Sequence, residues 1–338
     1  MKQAILNKNK IFQIIYLPET LPSEKEVVVK IKYCGICGSD IHILEGEYEV
    51  EYPCALGHEI VGEIYLIGSK VKGLSKGDRV TVIPVVNCGK CKFCKIGEIC
   101  LCEKVKYVGC DTKYAGFADY ITIDSSKVIK ITDNVDDITA SLIEPACVAL
   151  HAIEKFSSIN NKNFIIFGAG TLGISAFQII KYLGAKNVIL FDLLEYKIQI
   201  ADFYGAEAYI FNEKNLEHIL NKIKIDCFLD TVFSTITLKS AIKLIEKKGE
   251  IVLLGMAGKN IELDKNNAIK FVLDEISIKG SAMYELEDFN KTVKIFAEKK
   301  IIFNLEHINI FDFEEINSAF QFLRSSKNKC LKILLKCS

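Results

Sequence analysis

The run Phe164-Ile165-Ile166-Phe167-Gly168-Ala169-Gly170-Thr171-Leu172-Gly173 decides the fold. An apolar strand passes into GxGxxG, and the stretch Leu172 to Leu183 continues as a helix. In that setting each glycine has a task. Gly168 permits the tight turn, Gly170 lets backbone approach a pyrophosphate, and Gly173 allows the helix to pack close to the strand. The helix start at Thr171 and Leu172 supplies unpaired N–H groups and partial positive charge for phosphate. Asp192 lies nineteen residues past Gly173, at the end of the next apolar strand, Val188 to Phe191. A carboxylate there can accept both hydroxyls of an adenosine ribose and repels a 2′-phosphate, which favours NAD over NADP. GxGxxG by itself is a weak signal, and the bland competitor is a glycine turn in an ordinary βαβ unit with Asp192 as a helix cap. The strand-to-helix context and the carboxylate weigh against it.

Moving outward, Asp226 to Asp230 and Ile251 to Leu254 continue the apolar strands, with helical stretches between them. Strands alternating with helices predict a doubly wound sheet. Upstream the rhythm changes to short β-rich runs cut by glycine: Glu26 to Tyr33, Gly57 to Gly68 and Gly77 to Pro84. These predict a small barrel-like β domain. After Tyr284 come helices over Glu287 to Lys299 and Glu314 to Leu323, then a last strand, Cys330 to Lys336.

The whole chain of 338 residues carries 43 basic and 43 acidic side chains and is 50% hydrophobic, a soluble globular composition long enough for two domains. Zero net charge gives no footprint for nucleic acid or anionic membrane, and no apolar run reaches the roughly 18 residues that span a bilayer. Lysine-rich runs such as Lys327 to Lys332 read as solvated faces. Thirteen cysteines, without a secretory leader pattern, fit reduced thiols and metal ligands in a cytoplasmic protein better than a disulfide scaffold.

Ten of those thirteen lie between Cys34 and Cys147. Cys88-x2-Cys91-x2-Cys94-x7-Cys102 can close a tetrahedron of thiolates around Zn²⁺ with no open position, which makes a structural site. Cys100 competes with Cys102 on proximity. A second pattern is dispersed: Cys37-Gly38-Ser39-Asp40-Ile41-His42, then Gly57-His58-Glu59, then Glu144-Pro145. Thiol, imidazole and carboxylate are good zinc ligands, and three of them with one open position make a catalytic site.

In chain order, Cys37-Gly38-Ser39-Asp40-x-His42, Gly57-His58-Glu59-x-x-Gly62, Val71-x-Gly73-x-x-x-Gly77-Asp78-Arg79-Val80, the four-cysteine lobe and Gly168 to Gly173 resemble the zinc-dependent medium-chain alcohol dehydrogenases almost end to end. The resemblance implies an α/β chain with a GroES-like β-rich catalytic domain over 1–147, which carries the zinc lobe at about 87–103. A Rossmann doubly wound parallel sheet follows over 148–284, and 285–338 returns to the catalytic domain. It also implies two Zn²⁺ per chain, NAD, a small-molecule alcohol substrate and a homo-oligomer, tetramer or dimer. Cys37 and His58 would bind the catalytic zinc, with Glu59 a third ligand or close alternate and Glu144 near the metal, directly or through water. Lys197, Leu254 and Gly255 would join Gly168, Gly170, Thr171, Leu172, Gly173 and Asp192 around the cofactor.

Leu142-Ile143-Glu144-Pro145 followed by His151 is similar to the sorbitol (polyol) dehydrogenase branch, with glutamate where other alcohol dehydrogenases use cysteine. Asp192-x-x-Glu195-Tyr196-Lys197 is similar to threonine dehydrogenases, with Lys197 where an arginine commonly lies. Cys147 stays open as a thiol ligand. Glu144 is preferred because a carboxylate leaves zinc more Lewis acidic and suits chelating polyols. Two departures bear on substrate preference rather than class. Thr231-Val232-Phe233-Ser234 lacks a glycine that many relatives carry, and Asn328-Lys329-Cys330 replaces a glycine-lysine pair before the last strand.

Zinc with an open position would lower the pKa of a substrate hydroxyl so that an alkoxide forms near neutral pH, and the carbinol hydride would pass to nicotinamide. Ser39 is placed to accept the hydroxyl hydrogen bond, and by resemblance the relay runs through the nicotinamide ribose to His42. Asp40 orients a metal ligand rather than reacting. The expected function is oxidation of a secondary alcohol, a polyol, sugar alcohol or its phosphate, to a ketone. L-threonine 3-dehydrogenase and simple-alcohol dehydrogenase are the rivals within the class. Outside it stands an NAD-binding sensor that lost catalysis, against which Cys37, Ser39, His42, His58, Glu59 and Glu144 speak together. A nucleic-acid-binding zinc ribbon conflicts with the zero net charge and with the short ligand spacing.

Overall fold

Six parallel strands surround the glycine turn in a computed structural model that describes residues 1–256, 260–325 and 329–338. Side by side they run Glu207–Ile210, Asn187–Asp192, Asn163–Phe167, Ile225–Asp230, Ile245–Leu253 and Ser277–Gly280, which in chain order is 3-2-1-4-5-6. That is the doubly wound order with its switch point beside the first strand. The central strands are apolar almost throughout because helices cover both faces of a parallel sheet. Phe167, Phe191 and Phe228 are buried with ring centroids 6.2 Å (Phe167–Phe191) and 5.4 Å (Phe167–Phe228) apart. Burying each such side chain contributes about 1.5–3 kcal/mol. Phe167 pairs with Phe191 on one side and Asp230 on the other, so the strand ends leading to Gly168, Asp192 and Thr231 come level.

This sheet belongs to a unit formed by Pro145–Met283, and the second unit joins Met1–Glu144 to Tyr284–Ser338. The division falls three residues before the boundary expected at 147 and one before that at 284. Tyr284, whose hydroxyl donates to Glu144, goes with the second unit. There, strands Val128–Lys130, Arg79–Val82, Glu59–Ile67, Glu26–Gly35, Lys332–Lys336 and Ile308–Asp312 lie in that order, with Tyr120–Asp124 also paired to Glu26–Gly35. A three-stranded sheet of Phe12–Tyr16, Lys2–Leu6 and Cys54–Ala55, which the sequence did not announce, packs its Leu6 and Phe12 into the same core.

Several expected bounds shift. The glycine-turn helix is Thr171–Tyr182, the later helices are Leu286–Ala297 and Ile316–Leu323, and the strand expected from Ile251 begins at Ile245. The last strand is Lys332–Lys336 rather than Cys330 to Lys336. The run Lys327 to Lys332 is not a solvated face at its end: Lys332 is 6% exposed, held inside by an acidic partner described below. Lys327 and Asn328 lie outside the described residues. Among the described residues no helix is long and apolar enough to cross a membrane.

Candidate metal centres and cofactor site

The Sγ atoms of Cys88, Cys91, Cys94 and Cys102 all lie within 4.8 Å of one another. Tetrahedral zinc with bonds near 2.3 Å needs sulfurs about 3.8 Å apart, so the four thiols fit the ion after small adjustment. Hydrogen bonds inside the loop favour thiolate at Cys91. The N–H groups of Cys94 and Glu103 pull the Cys91 thiol down to about 6, which favours the thiolate that binds metal. The Cys88 N–H donates to the Cys102 sulfur (3.2 Å) and Asn87 Nδ2 to that of Cys94 (3.4 Å), while Lys127 fixes Asn87 through its Oδ1 (2.6 Å). Cys100 is not in the group, and its thiol donates to Glu285. All thirteen cysteines are thiols with no disulfide.

The second group forms where strand geometry brings distant residues across one another. Cys37 sits immediately before helix Gly38–Glu45, and Asp40 in its first turn accepts the Cys37 N–H at 2.9 Å. Cys37, His58 and Glu59 place their ligand atoms within 4.8 Å of one another. Asp40 is fully buried, with Oδ1 4.0 Å from His58 Nδ1, and burial raises its pKa. Against its burial, the Cys37 thiol and the Asp40 and Glu144 carboxylates hold the His58 imidazole well above its ordinary range.

Glu59 explains Lys332. Gly35 opposes Glu59 on one neighbouring strand and Leu334 on the other, and a Cβ at Gly35 would stand 1.8 Å from Glu59 Oε2 and 2.9 Å from Lys332 Cε. The missing side chain leaves the space in which Lys332 Nζ meets Glu59 Oε1 at 2.5 Å, both groups buried. Glu59 Oε2 has no hydrogen-bond partner among the described residues. A buried carboxylate oxygen with no such partner, beside a thiol and an imidazole, fits the chemistry of a metal ligand. Glu144 lies outside the group but is coupled by charge to both His58 and Glu59; burial pushes it up to about 7, opposed by His58 and by the Tyr284 hydroxyl at 2.8 Å. Cys147 is not among the grouped ligands.

Ser39 and His42 are three apart on helix Gly38–Glu45 and so share a face. His42 Nδ1 pairs with Glu47 Oε2, and its side chain is 38% exposed. Lys332, Tyr284 and Gly35 escaped the sequence reading. A lysine followed by Ile333-Leu334-Leu335 was the available signal, because a lone cation in a buried strand needs a buried partner.

In the other unit the glycine turn has the geometry its motif requires. Gly168 has φ +95, and a Cβ at Gly173 would meet the Gly168 carbonyl oxygen at 1.9 Å. A Cβ at Gly170 would find only Lys197 Nζ, at 3.9 Å, so this face stays open ahead of Thr171 and Leu172. Asp192 is fixed by the N–H groups of Ala169 (2.8 Å to Oδ2) and Leu194 (3.0 Å to Oδ1), with Lys197 Nζ 3.7 Å from Oδ2. Leu254 and Gly255 both donate their N–H to the Asp230 carbonyl, at 2.9 and 3.1 Å. Thr231–Ser234 holds Phe233 at φ +51, pinned by the Asp230 carboxylate accepting the N–H groups of Val232 and Phe233.

A dinucleotide sheet carried with thiol, imidazole and carboxylate metal ligands places the chain among the metal-dependent dehydrogenases. Residues 23–133 match the alcohol dehydrogenase GroES-like domain and 171–298 the zinc-binding dehydrogenase domain. The chain is 31% identical over 348 residues to sorbitol dehydrogenase of Bacillus subtilis strain 168, covering 99% of this chain and 97% of that protein. Galactitol-1-phosphate dehydrogenase from Escherichia coli has a TM-score of 0.91 at 28% identity, over 99% of this chain and 100% of that one. RspB of Escherichia coli CFT073, solved with NADH, has a TM-score of 0.91 at 30% identity over 99% of each chain. The chain belongs to the zinc-dependent medium-chain alcohol dehydrogenases. It is an oxidoreductase whose cofactors are zinc and a nicotinamide dinucleotide.

Proposed function

We propose that this chain oxidises a secondary hydroxyl of a polyol, a sugar alcohol or its phosphate to a ketone, with NAD as hydride acceptor. The observation that carries the reading is the meeting of Cys37, His58 and Glu59 beside a buried Glu144, a donor set with one thiol and two carboxylates nearby. Bound zinc supplies Lewis acidity toward a substrate hydroxyl, and a carboxylate-rich set leaves more of it available to a chelating diol. Similarity to sorbitol and galactitol-1-phosphate dehydrogenases supports the polyol class.

The remaining tasks fall to this chain's residues. Ser39 Oγ accepts the hydrogen bond of the substrate hydroxyl and releases its own proton toward the nicotinamide ribose as it takes up that one, and His42, its Nδ1 paired with Glu47, passes the proton on to solvent. Asp40 holds the Cys37 backbone and faces His58. Asp192, both oxygens oriented by backbone N–H groups, takes the adenosine ribose and disfavours a 2′-phosphate. The four-thiol group holds the structural zinc. We place the enzyme in the cytoplasm as a dimer or tetramer.

Following NADH formation across polyols, sugar phosphates, threonine and simple alcohols tests the proposal. A secondary polyol should be turned over fastest, and faster with NAD than with NADP. Preference for threonine or a primary alcohol would reassign the substrate. Ser39→Ala should keep both zinc ions yet lose roughly a hundredfold or more in turnover, whereas Cys37→Ser should lose the catalytic zinc. Full activity with both metals in the two variants would defeat the residue assignment.

A further inference from the structure

Tyr284 and Glu285 are neighbours in sequence, and each ends at a different metal group's surroundings. Tyr284 is fully buried, its ring centroid 5.4 Å from that of Phe289, and its hydroxyl donates to Glu144 Oε1 at 2.8 Å. Glu285 reaches the four-thiol lobe. Its Oε2 accepts the Ile99 N–H at 2.6 Å, and the Cys100 thiol donates to its Oε1 at 2.7 Å. Cys100 stands between the grouped thiols Cys94 and Cys102, which is why a cysteine inside the lobe is engaged elsewhere. The backbone at Glu285 is extended (φ −99, ψ 165), so successive side chains leave on opposite sides. The pair is also anchored: the Glu285 N–H donates to Asp288 Oδ2 at 2.8 Å at the head of helix Leu286–Ala297.

The lobe has little regular structure of its own, a helical turn Lys92–Lys95 and a 3₁₀ turn Ile99–Leu101. Its order therefore depends on the metal its thiols hold. Glu144, by contrast, is buried beside the Glu59 carboxylate and has to be aimed by a donor. We propose that Tyr284 and Glu285 are positioning residues that couple the two metal groups, so that a filled four-thiol lobe holds Glu144 in place beside Cys37, His58 and Glu59. This rests on the two-site reading given under the proposed function.

The test uses the full-length protein with cobalt exchanged into the Cys37–His58–Glu59 site and zinc kept in the lobe. Cobalt absorption, cobalt retention against a chelator, kcat and KM are compared among wild type, Glu285→Ala, Glu285→Gln, Tyr284→Phe and the Tyr284→Phe/Glu285→Ala pair. Partners beyond the ligands of a metal are worth about ten- to hundredfold in affinity or activity. Glu285→Ala, at a side chain whose partners Ile99 and Cys100 lie in the four-thiol lobe, should weaken cobalt retention by that order, shift the cobalt bands as Tyr284→Phe does, and lower kcat more than it raises KM. Because both act through one link, the double variant should be no worse than the worse single one. Glu285→Gln, which can still accept the Ile99 N–H, should restore most of the wild-type spectrum. Cys100→Ala, which removes the thiol that donates to Glu285 Oε1, should give a weaker form of the same shift and guards against a Glu285→Ala protein that does not fold. A wild-type cobalt spectrum and retention in Glu285→Ala and Cys100→Ala, or additive losses in the double variant, would overturn the coupling alone. A wild-type chain that retains fewer than two metals would overturn both the coupling and the reading beneath it.

Discussion

Lys332 and Glu59 form a buried ion pair between residues 273 apart in sequence, and one member belongs to a candidate metal site. Removing one partner from such a pair strands the other charge in a dry interior and costs about 3–5 kcal/mol. Lys332→Met should therefore destabilise the metal-free protein by about that much. In the zinc-loaded protein the loss should be smaller, because the ion gives Glu59 a second positive partner. Urea unfolding of loaded and chelated samples checks this, and equal losses in the two forms would show that Glu59 does not answer to the metal. Cys37, His58 and Glu59 could be read from sequence because each sits in a short motif whose neighbours repeat its meaning. Lys332 could not, since a lysine's charge says nothing about burial and its partner is set by strand register around Gly35. The choice between Cys100 and Cys102 had the same character. Spacing admits both, and only the position of Glu285 shows why Cys100 is engaged elsewhere.

Elements are where apolar periodicity is most informative, and the cofactor sheet shows both its reach and its limit. Asn163–Phe167 and Asn187–Asp192 are continuous apolar runs and were readable to within a residue or so. Strand Ile245–Leu253 was half missed, because its first part carries Glu246, Lys247, Lys248 and Gly249, with Lys248 at φ +60 and an irregular register opposite Ile225 and Cys227. That strand also carries Glu250, which accepts the Ser157 N–H (2.8 Å) and hydroxyl (2.9 Å) and pairs with Lys279 on the edge strand. Burial works against the Glu250 carboxylate, but Lys279 and Ser157 prevail and hold it below its ordinary range. A carboxylate depressed in the folded state adds stability above its unfolded pKa, about 4.3, and that stability disappears as pH falls through the lower folded value. Glu250→Gln should thus cost roughly 1 kcal/mol at neutral pH and progressively less as the pH is lowered below about 4. Thermal unfolding of both proteins across that range measures it, and a difference independent of pH would remove Glu250 as the titrating group.

At the scale of the whole molecule, the cysteine surplus and the glycine turn turn out to belong to different units. All seven residues of the two candidate metal groups lie in the unit formed by Met1–Glu144 and Tyr284–Ser338, whereas Gly168 through Asp192 lie in Pro145–Met283. The second of these has its own core, with Ile165, Phe167, Phe191, Phe228 and Ile251 all buried. The candidate dinucleotide face is shaped by backbone: Gly168 at positive φ, Gly173 against the Gly168 carbonyl, and Asp192 held by the N–H groups of Ala169 and Leu194. None of those contacts involves a metal ligand. Stripping both metals should therefore abolish turnover while NADH binding, followed by its fluorescence, weakens by no more than about threefold, or roughly 0.7 kcal/mol. The lobe should respond in the opposite way. With its thiols unliganded, the loop around Cys88 to Cys102 has two short turns to hold it, and limited proteolysis should cut there first at its lysines, Lys90, Lys92 and Lys95. Re-addition of zinc should restore protection and activity together. Loss of NADH affinity by tenfold or more in the metal-free protein, with the lobe still resistant to protease, would reverse this assignment of which unit depends on metal.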